Sequence, residues 1–254
     1  MTLPTVRAFG MDVQPLTMHG AVDAVLSFAD APRGTCHFVV TPNVDHAVML
    51  REHAGLRAAY ADASLRLIDG MPLVVLSRLF RKPIPERVAG SDLVPALFQA
   101  AVDRGRPLTV YLLGAGPGVA ERAKERIEQT WPQVRVVGTY SPPFGFEKDP
   151  AENKSIVAKV NAAEPDVLLV GVGAPKQELW IHAHHKELNA KVALCIGATI
   201  DFLAGEKSRA PVWMRKAGLE WAHRVASEPK RLAKRYAKDA VVLPRIVFDE
   251  LRGK

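Results

Sequence analysis

The sequence predicts an α/β protein: a Rossmann-like, mostly parallel sheet with helices on both faces, followed by a helical, basic carboxyl-terminal appendage. Three observations carry this. From residue 108 onward, short β-branched runs alternate with helix-length amphipathic stretches, the pattern of strand–helix–strand units that build parallel sheets. The strand-like runs end in glycine, small or acidic residues, which suits a ligand crevice at the carboxyl ends of parallel strands. Charge is also partitioned. The 254-residue chain has a net charge of +7, and residues 206–254 hold 13 Lys/Arg against 6 Asp/Glu, so the first 205 residues balance at zero. The expected division is therefore an α/β core, 1–205, and a helical, basic appendage, 206–254.

Taken in order, residues 5–14 read as a short hairpin with Gly10 near its turn, and 16–29 as a helix with Thr17 as N-cap. Residues 36–41 form a short, β-branched apolar run, the mark of a buried strand, and lead straight into Pro42 and Asn43. Helical stretches follow at 45–52 and 54–63, then a strand at 65–68 that stops at Asp69-Gly70. A helix over 73–80, a loop marked by Pro83 and Pro85, and a helix over 93–104 complete the first half. The second half is regular, with strands at 108–113, 134–137, 167–170 and 192–196 and helices at 119–130, 153–163 and 177–185. Beyond Gly205 the pattern is helical alone. Trp213, Ala217 and Trp221 share one helical face. Ser227-Glu228-Pro229 opens a second helix, along which Arg231, Lys234, Arg235 and Lys238 form a basic stripe. Leu243, Val247 and Leu251 line a third, which Pro244 weakens.

Composition is that of a globular protein, 48% hydrophobic and 24% charged. No stretch approaches the ~20 apolar residues of a spanning helix. The amino terminus shows no charged segment followed by an apolar run, so no secretory signal is expected. Cys36 and Cys195 both lie in apolar runs and read as buried thiols in a reducing compartment, since no disulfide framework or metal spacing is present.

Five strand ends carry small or polar residues: Thr41-Pro42-Asn43, Asp69-Gly70, Gly114-Ala115-Gly116, Gly171-Val172-Gly173 and Gly197-Ala198-Thr199. Glycines there let a phosphate or ribose approach the backbone N–H donors, although any one such loop is more often glycine-rich for turn geometry alone. The 114–118 loop is spaced G-x-G-x-G and lacks the third glycine of the dinucleotide fingerprint, with no acidic residue ending a strand ~20 residues later. That disfavours a nicotinamide enzyme, and no Walker sequence is present. Glu178, His182 and His185 share a helical face, but on an expected exposed amphipathic helix they read as surface residues before a metal site. No Asp-x-Asp pair exists to hold a diphosphate-bound cation, so leaving-group charge would fall to arginines and backbone donors. Asp69, at the end of a buried strand, suits either a general base or the N-cap of the next helix.

The segments TPNVDHAVML, IDGMPLV, ERVAGSDLVPAL, YLLGAGPGVAERA, GVGAPKQELWI and GATIDFLAGEKSRAPVWMRKAGLEWAHRVASEPKRLAKRY, in that order over about residues 36–236, resemble the WecG/TagA/CpsF glycosyltransferases. The resemblance implies inverting, metal-independent transfer from a UDP-sugar to a saccharide on an undecaprenyl diphosphate carrier, in surface polysaccharide synthesis. The sugar would be N-acetylmannosamine, its uronic acid, or glucose. Asp69 falls on the family's general base, Thr41, Asn43 and Gln177 on polar pocket positions, and Asp201 on the acid of its GxxxD segment. The basic appendage would close over the site at an anionic membrane surface, with Arg209, Arg215, Arg224 and Arg231 meeting the diphosphate. Gly114, Gly116 and Gly173 would approach the nucleotide. No cofactor, metal or nucleic-acid partner is expected. The expected location is cytoplasmic, peripheral on the inner face of the cell membrane, and a homo-oligomer is left open. Two other classes compete: a Rossmann-type oxidoreductase, and a non-catalytic basic adaptor for membrane or nucleic acid.

Overall fold

The structure is a computed structural model that describes residues 3–211, 213–214, 219–227 and 229–252, without the side chains of 224, 227 and 229–235. Strands β1 (Val6–Ala8) and β2 (Met11–Val13) form the amino-terminal hairpin. Its two turn residues, Phe9 and Gly10, both have positive φ, +55° and +79°. Such a turn matches the twist of the flanking strands and favours glycine. Helix α1 (Met18–Asp30) starts where expected, with Thr17 Oγ1 accepting from Gly20 N at 3.2 Å.

The main sheet follows: β3 (His37–Val40), α2 (Val44–Glu52), α3 (Ala54–Asp62), β4 (Leu65–Arg66), α4 (Met71–Leu79), α5 (Gly90–Asp103), β5 (Leu108–Gly114), α6 (Val119–Thr130), β6 (Val134–Tyr140), α7 (Pro150–Ala163), β7 (Val167–Gly171), α8 (Lys176–His184), β8 (Val192–Cys195) and α9 (Thr199–Ala204). Its six strands are all parallel, in the order β4-β3-β8-β7-β5-β6. Side chains alternate across it with the period of two that a strand imposes. Phe38, Val40, Leu168, Val170, Ala193 and Cys195 face the core under α2, α3, α4, α7 and α8. Val39, Val167, Leu169, Val192 and Leu194 face the core under α1, α5, α6 and α9.

The chain after β3 turns to the first of these faces and the chain after β8 to the second. Adjacent strands whose continuations diverge leave a crevice between their carboxyl ends. The neighbouring strand ends are pressed together instead. A Cβ on Gly114 would lie 2.5 Å from the carbonyl carbon of Gly171, so glycine at 114 serves close approach of β5 to β7.

Several boundaries differ from expectation. The strand expected at 65–68 is regular only over Leu65–Arg66, yet its backbone pairing runs on: Leu67 N donates to Val40 O at 3.0 Å and Asp69 N to Pro42 O at 2.8 Å. Helix α7 begins at Pro150 because Asp149 caps it, accepting from Ala151 N at 2.9 Å. Helix α9, six residues long, was not expected. Helix α8 is not the exposed surface helix expected, since Gln177, Glu178, Trp180 and Ile181 are buried.

The appendage contributes α10 (Glu220–Ser227) and α11 (Pro229–Leu251). Two helices were expected across the range that α11 covers alone. Pro244 removes one backbone hydrogen bond, but Ile246 is buried in the core and Val242 packs against it, holding one continuous helix. Its far end is tied down by Arg51–Asp249 and by Lys82–Glu250, the latter at 2.9 Å. Among the described residues, no helix is long and apolar enough to cross a membrane.

Candidate active site

Two cavities open at the carboxyl edge of the sheet and meet. The larger, about 610 Å³, lies in the β3/β8 crevice; Thr41, Asn43, Gly173, Gln177, Gly197 and Asp201 are among its walls. The smaller, about 360 Å³, lies between α4 and the appendage and is walled by Met71, Pro72, Trp221, Tyr236 and Leu243. Asn43, Asp45, Asp69, Glu220 and Tyr236 line both.

Asp69 therefore stands where the two spaces join. The N-cap of α4 is Gly70, with no side-chain capping bond, and the Asp69 carboxylate instead faces Arg87 at 3.1 Å. Of the two roles its position allows, capping is set aside. Arg87 also reaches Asp92 at 2.7 Å and Glu220 at 3.4 Å, so one guanidinium links acids from three elements, one of them in the appendage. With Arg87 and these acids all mostly shielded from water, the array is more sharply oriented than exposed ion pairs are.

The crevice walls are fixed by hydrogen bonds. Thr41 Oγ1 donates to Cys195 O at 3.3 Å, tying the ends of β3 and β8. Asn43 Oδ1 caps α2, accepting from Asp45 N at 3.1 Å. Gln177 Oε1 accepts from Gly197 N at 3.0 Å while its Nε2 donates to Glu178 Oε1 at 2.7 Å. Glu178 in turn lies 3.5 Å from His46 Nε2, and His46 Nδ1 packs against Asn43, so one buried carboxylate braces two cavity loops. Both thiols are inert: burial pushes Cys36 up to about 12 and Cys195 well above its ordinary value.

The crevice thus gathers Thr41, Asn43, Asp69, Gly173, Gln177 and Asp201 from the sequence expectation. Gly114 and Gly116 line neither cavity. Arg209 stands behind the wall, paired with Asp92 at 2.8 Å and donating to Ser91 O at 3.1 Å. Arg215 lies outside the described residues, as do the side chains of Arg224 and Arg231. The Glu178/His182/His185 grouping comes apart: Glu178 turns inward to Gln177, and His182 Nε2 lies 2.9 Å from Asp62 on the surface. Arg87, Asp92, Glu220, His46 and Tyr236 were not singled out. Arg87 lies in the segment ERVAGSDLVPAL, but a lone arginine between a proline loop and a helix carries no periodic signal.

Fold and site define a doubly wound α/β protein with a ligand-sized crevice at its topological switch point and a carboxylate at the crevice's inner edge. The chain belongs to the glycosyl transferase WecG/TagA/CpsF family, whose model matches residues 6–254, and it is a glycosyltransferase. Similar curated proteins include the N-acetylglucosaminyldiphosphoundecaprenol N-acetyl-beta-D-mannosaminyltransferase of Staphylococcus aureus (strain MRSA252), 28% identical over 229 residues, covering 90% of this chain and 87% of that one. A protein of the same name from Bacillus spizizenii (strain W23) is 29% identical over 230 residues, covering 87% and 86%. Family membership over nearly the whole chain sets the oxidoreductase and adaptor readings aside.

Proposed function

We propose that this protein transfers a sugar, N-acetylmannosamine before its uronic acid or glucose, from a UDP-sugar to an undecaprenyl-diphosphate-linked saccharide, with inversion and without a metal ion. The names of the similar proteins support the acceptor class and the first-named sugar. The observation that carries the reading is Asp69 at the junction of the two cavities. The larger, polar cavity holds the nucleotide sugar. Its glycine and small-residue turns let the nucleotide approach the backbone, and its size is that of a small-molecule pocket. The smaller holds the acceptor saccharide, with Trp221 and Tyr236 offering ring faces and carboxylates offering acceptors to sugar hydroxyls.

Asp69 takes the proton of the acceptor hydroxyl as that oxygen forms its bond to the anomeric carbon. The bond from that carbon to the diphosphate oxygen breaks on the opposite side, and UDP leaves with the electron pair. Arg87, already bridging Asp69 and Glu220, is placed to orient the base and to meet charge developing beside it. Arg215, Arg224 and Arg231 remain proposed diphosphate contacts, whereas Arg209, paired with Asp92 behind the wall, supports that wall instead. The division at 205/206 and peripheral binding at the inner face of the cell membrane remain part of the same reading. Lys238, one member of the expected basic stripe, is paired with Glu52 of α2 at 2.5 Å.

The test is UDP release with a panel of UDP-sugars and a lipid-linked N-acetylglucosamine acceptor, with and without chelator. Release requiring both substrates and indifferent to EDTA is expected, because no Asp-x-Asp pair is present to hold a diphosphate-bound cation. Activity abolished by EDTA and restored by Mg²⁺ or Mn²⁺ overturns the metal-free step; no release with any UDP-sugar overturns the donor.

A further inference from the structure

Two helical stripes lead away from the smaller cavity. On α4, Met71 lines the cavity, and Val75 and Leu79 continue the same face at i+4 and i+8, 57% and 63% exposed. On α11, Leu243 lines the cavity, with Val247 and the 61% exposed Leu251 at the same spacing. The two helices are joined at their far ends by Lys82–Glu250. Leucine and valine left this open on a core helix are not explained by packing, and they adjoin the space assigned above to the acceptor. Arg78 and Arg81 flank them, both exposed and neither with an ion-pair partner among the described residues. Exposed apolar side chains flanked by arginine, a residue type whose stem can lie along apolar surface while its head reaches water, fit the boundary of an anionic bilayer.

We propose that α4 of the core seats this protein on an anionic lipid bilayer, Val75 and Leu79 entering the headgroup boundary, Arg78 and Arg81 meeting lipid phosphates, and the smaller cavity's mouth turned toward the lipid. The basic appendage is then not the sole membrane contact. The bilayer is favoured over a second copy of the chain because the charges beside Val75 and Leu79 that have no ion-pair partner among the described residues are the arginines at 78 and 81, which complement anionic lipid and repel their own copy. The orientation of the cavity rests on the lipid-linked acceptor proposed above; the seating surface does not.

The test compares wild type, Val75→Glu/Leu79→Glu and Arg78→Gln/Arg81→Gln on vesicles of phosphatidylcholine with and without phosphatidylglycerol. All four residues lie outside both cavities, so melting temperature and UDP affinity are expected to stay at wild type. The glutamate pair is expected to weaken binding to phosphatidylglycerol vesicles by ~10-fold or more. The glutamine pair is expected to weaken it by roughly fivefold per arginine and to leave binding to pure phosphatidylcholine unchanged. Both should slow transfer to a vesicle-borne acceptor while sparing transfer to a short-chain, water-soluble one. Wild-type vesicle affinity in both variants overturns the proposal. So does unchanged vesicle binding with altered sedimentation of the free protein, which would make the stripe a contact between copies. Should wild type transfer sugar to neither acceptor while the vesicle differences hold, the seating surface stands and the activity reading falls.

Discussion

The two ends of the sheet use polar groups to opposite purposes. At the amino end, Asp166 ahead of β7 receives Lys191 at 2.9 Å, Thr109 N at 3.1 Å and Thr109 Oγ1 at 2.9 Å. Lys191 also donates to Ala29 O at 2.8 Å, and Arg33 closes the neighbouring loops by donating to Pro165 O, Glu164 O and Asn189 O. Each charge there is spent on fixing backbone. At the carboxyl end, Asp69, Asp92 and Glu220 share Arg87 beside open space. The amino end holds the strands in place so that the carboxyl end can keep charged groups poised at a cavity, the usual separation of scaffold from site in parallel sheets. Changes at the carboxyl end should therefore alter kinetics, and changes at the amino end should alter stability.

The largest effect is expected at Asp69. Asp69→Asn keeps the side chain's shape and removes its proton-accepting charge, and kcat should fall ~10²–10⁴-fold, the usual worth of a general base. UDP affinity, measured by calorimetry, should stay near wild type because the change lies at the edge of the nucleotide cavity. Wild-type turnover would erase the contrast between the two ends.

A smaller effect is expected at Trp221, whose ring tilts against Tyr236 with centroids 6.1 Å apart in the smaller cavity. Aromatic contacts contribute about 0.5–1.5 kcal/mol beyond area burial, so Trp221→Ala should raise the acceptor KM roughly 3- to 10-fold. The donor KM should not move, because Trp221 is absent from the walls of the larger cavity. A rise in donor KM instead would mean that the assignment of the two cavities is reversed.

Much of the carboxyl end was legible in the sequence because strand-end residues are placed by the strands themselves. Once 36–41 and 65–68 read as strands, Thr41, Asn43 and Asp69 had to lie on the same sheet edge. Gly114 shows the limit: the close approach of β7 requires a glycine there by itself, so the glycine signal alone does not point to a ligand. Arg87 was invisible because its meaning comes from acids on separate elements, Glu220 standing 133 positions away. Glu178 was misplaced on an exposed face because α8 mixes apolar and polar residues on every side, so only the tertiary contact with His46 and Gln177 decides what is buried. Pro244 read as a helix breaker because local propensity cannot see Ile246 entering the core.

The smallest effect is expected at the amino end and checks the other half of the contrast. Burial alone would push Asp166 up, but the Lys191 ammonium and the two Thr109 hydrogen bonds outweigh it and hold the carboxyl below its ordinary value. A carboxylate whose folded-state pKa is depressed adds stability that is present above its unfolded value, ~3.9, and is lost as pH falls through the folded value. Asp166→Asn should therefore lower stability at pH 7 by roughly 1–3 kcal/mol, the scale for hydrogen bonds to a charged group. The gap between variant and wild type should begin to narrow as denaturant titrations are moved below about pH 4, where the unfolded chain's carboxyl takes up its proton, and should close only below the lower folded-state value. At pH 7, well below the melting temperature, kcat and both KM values should match wild type, because Asp166 lies at the edge of the sheet opposite both cavities. A kinetic defect in fully folded Asp166→Asn would show that the two ends of the sheet are coupled, and that strand position at the amino end is transmitted to Asp69.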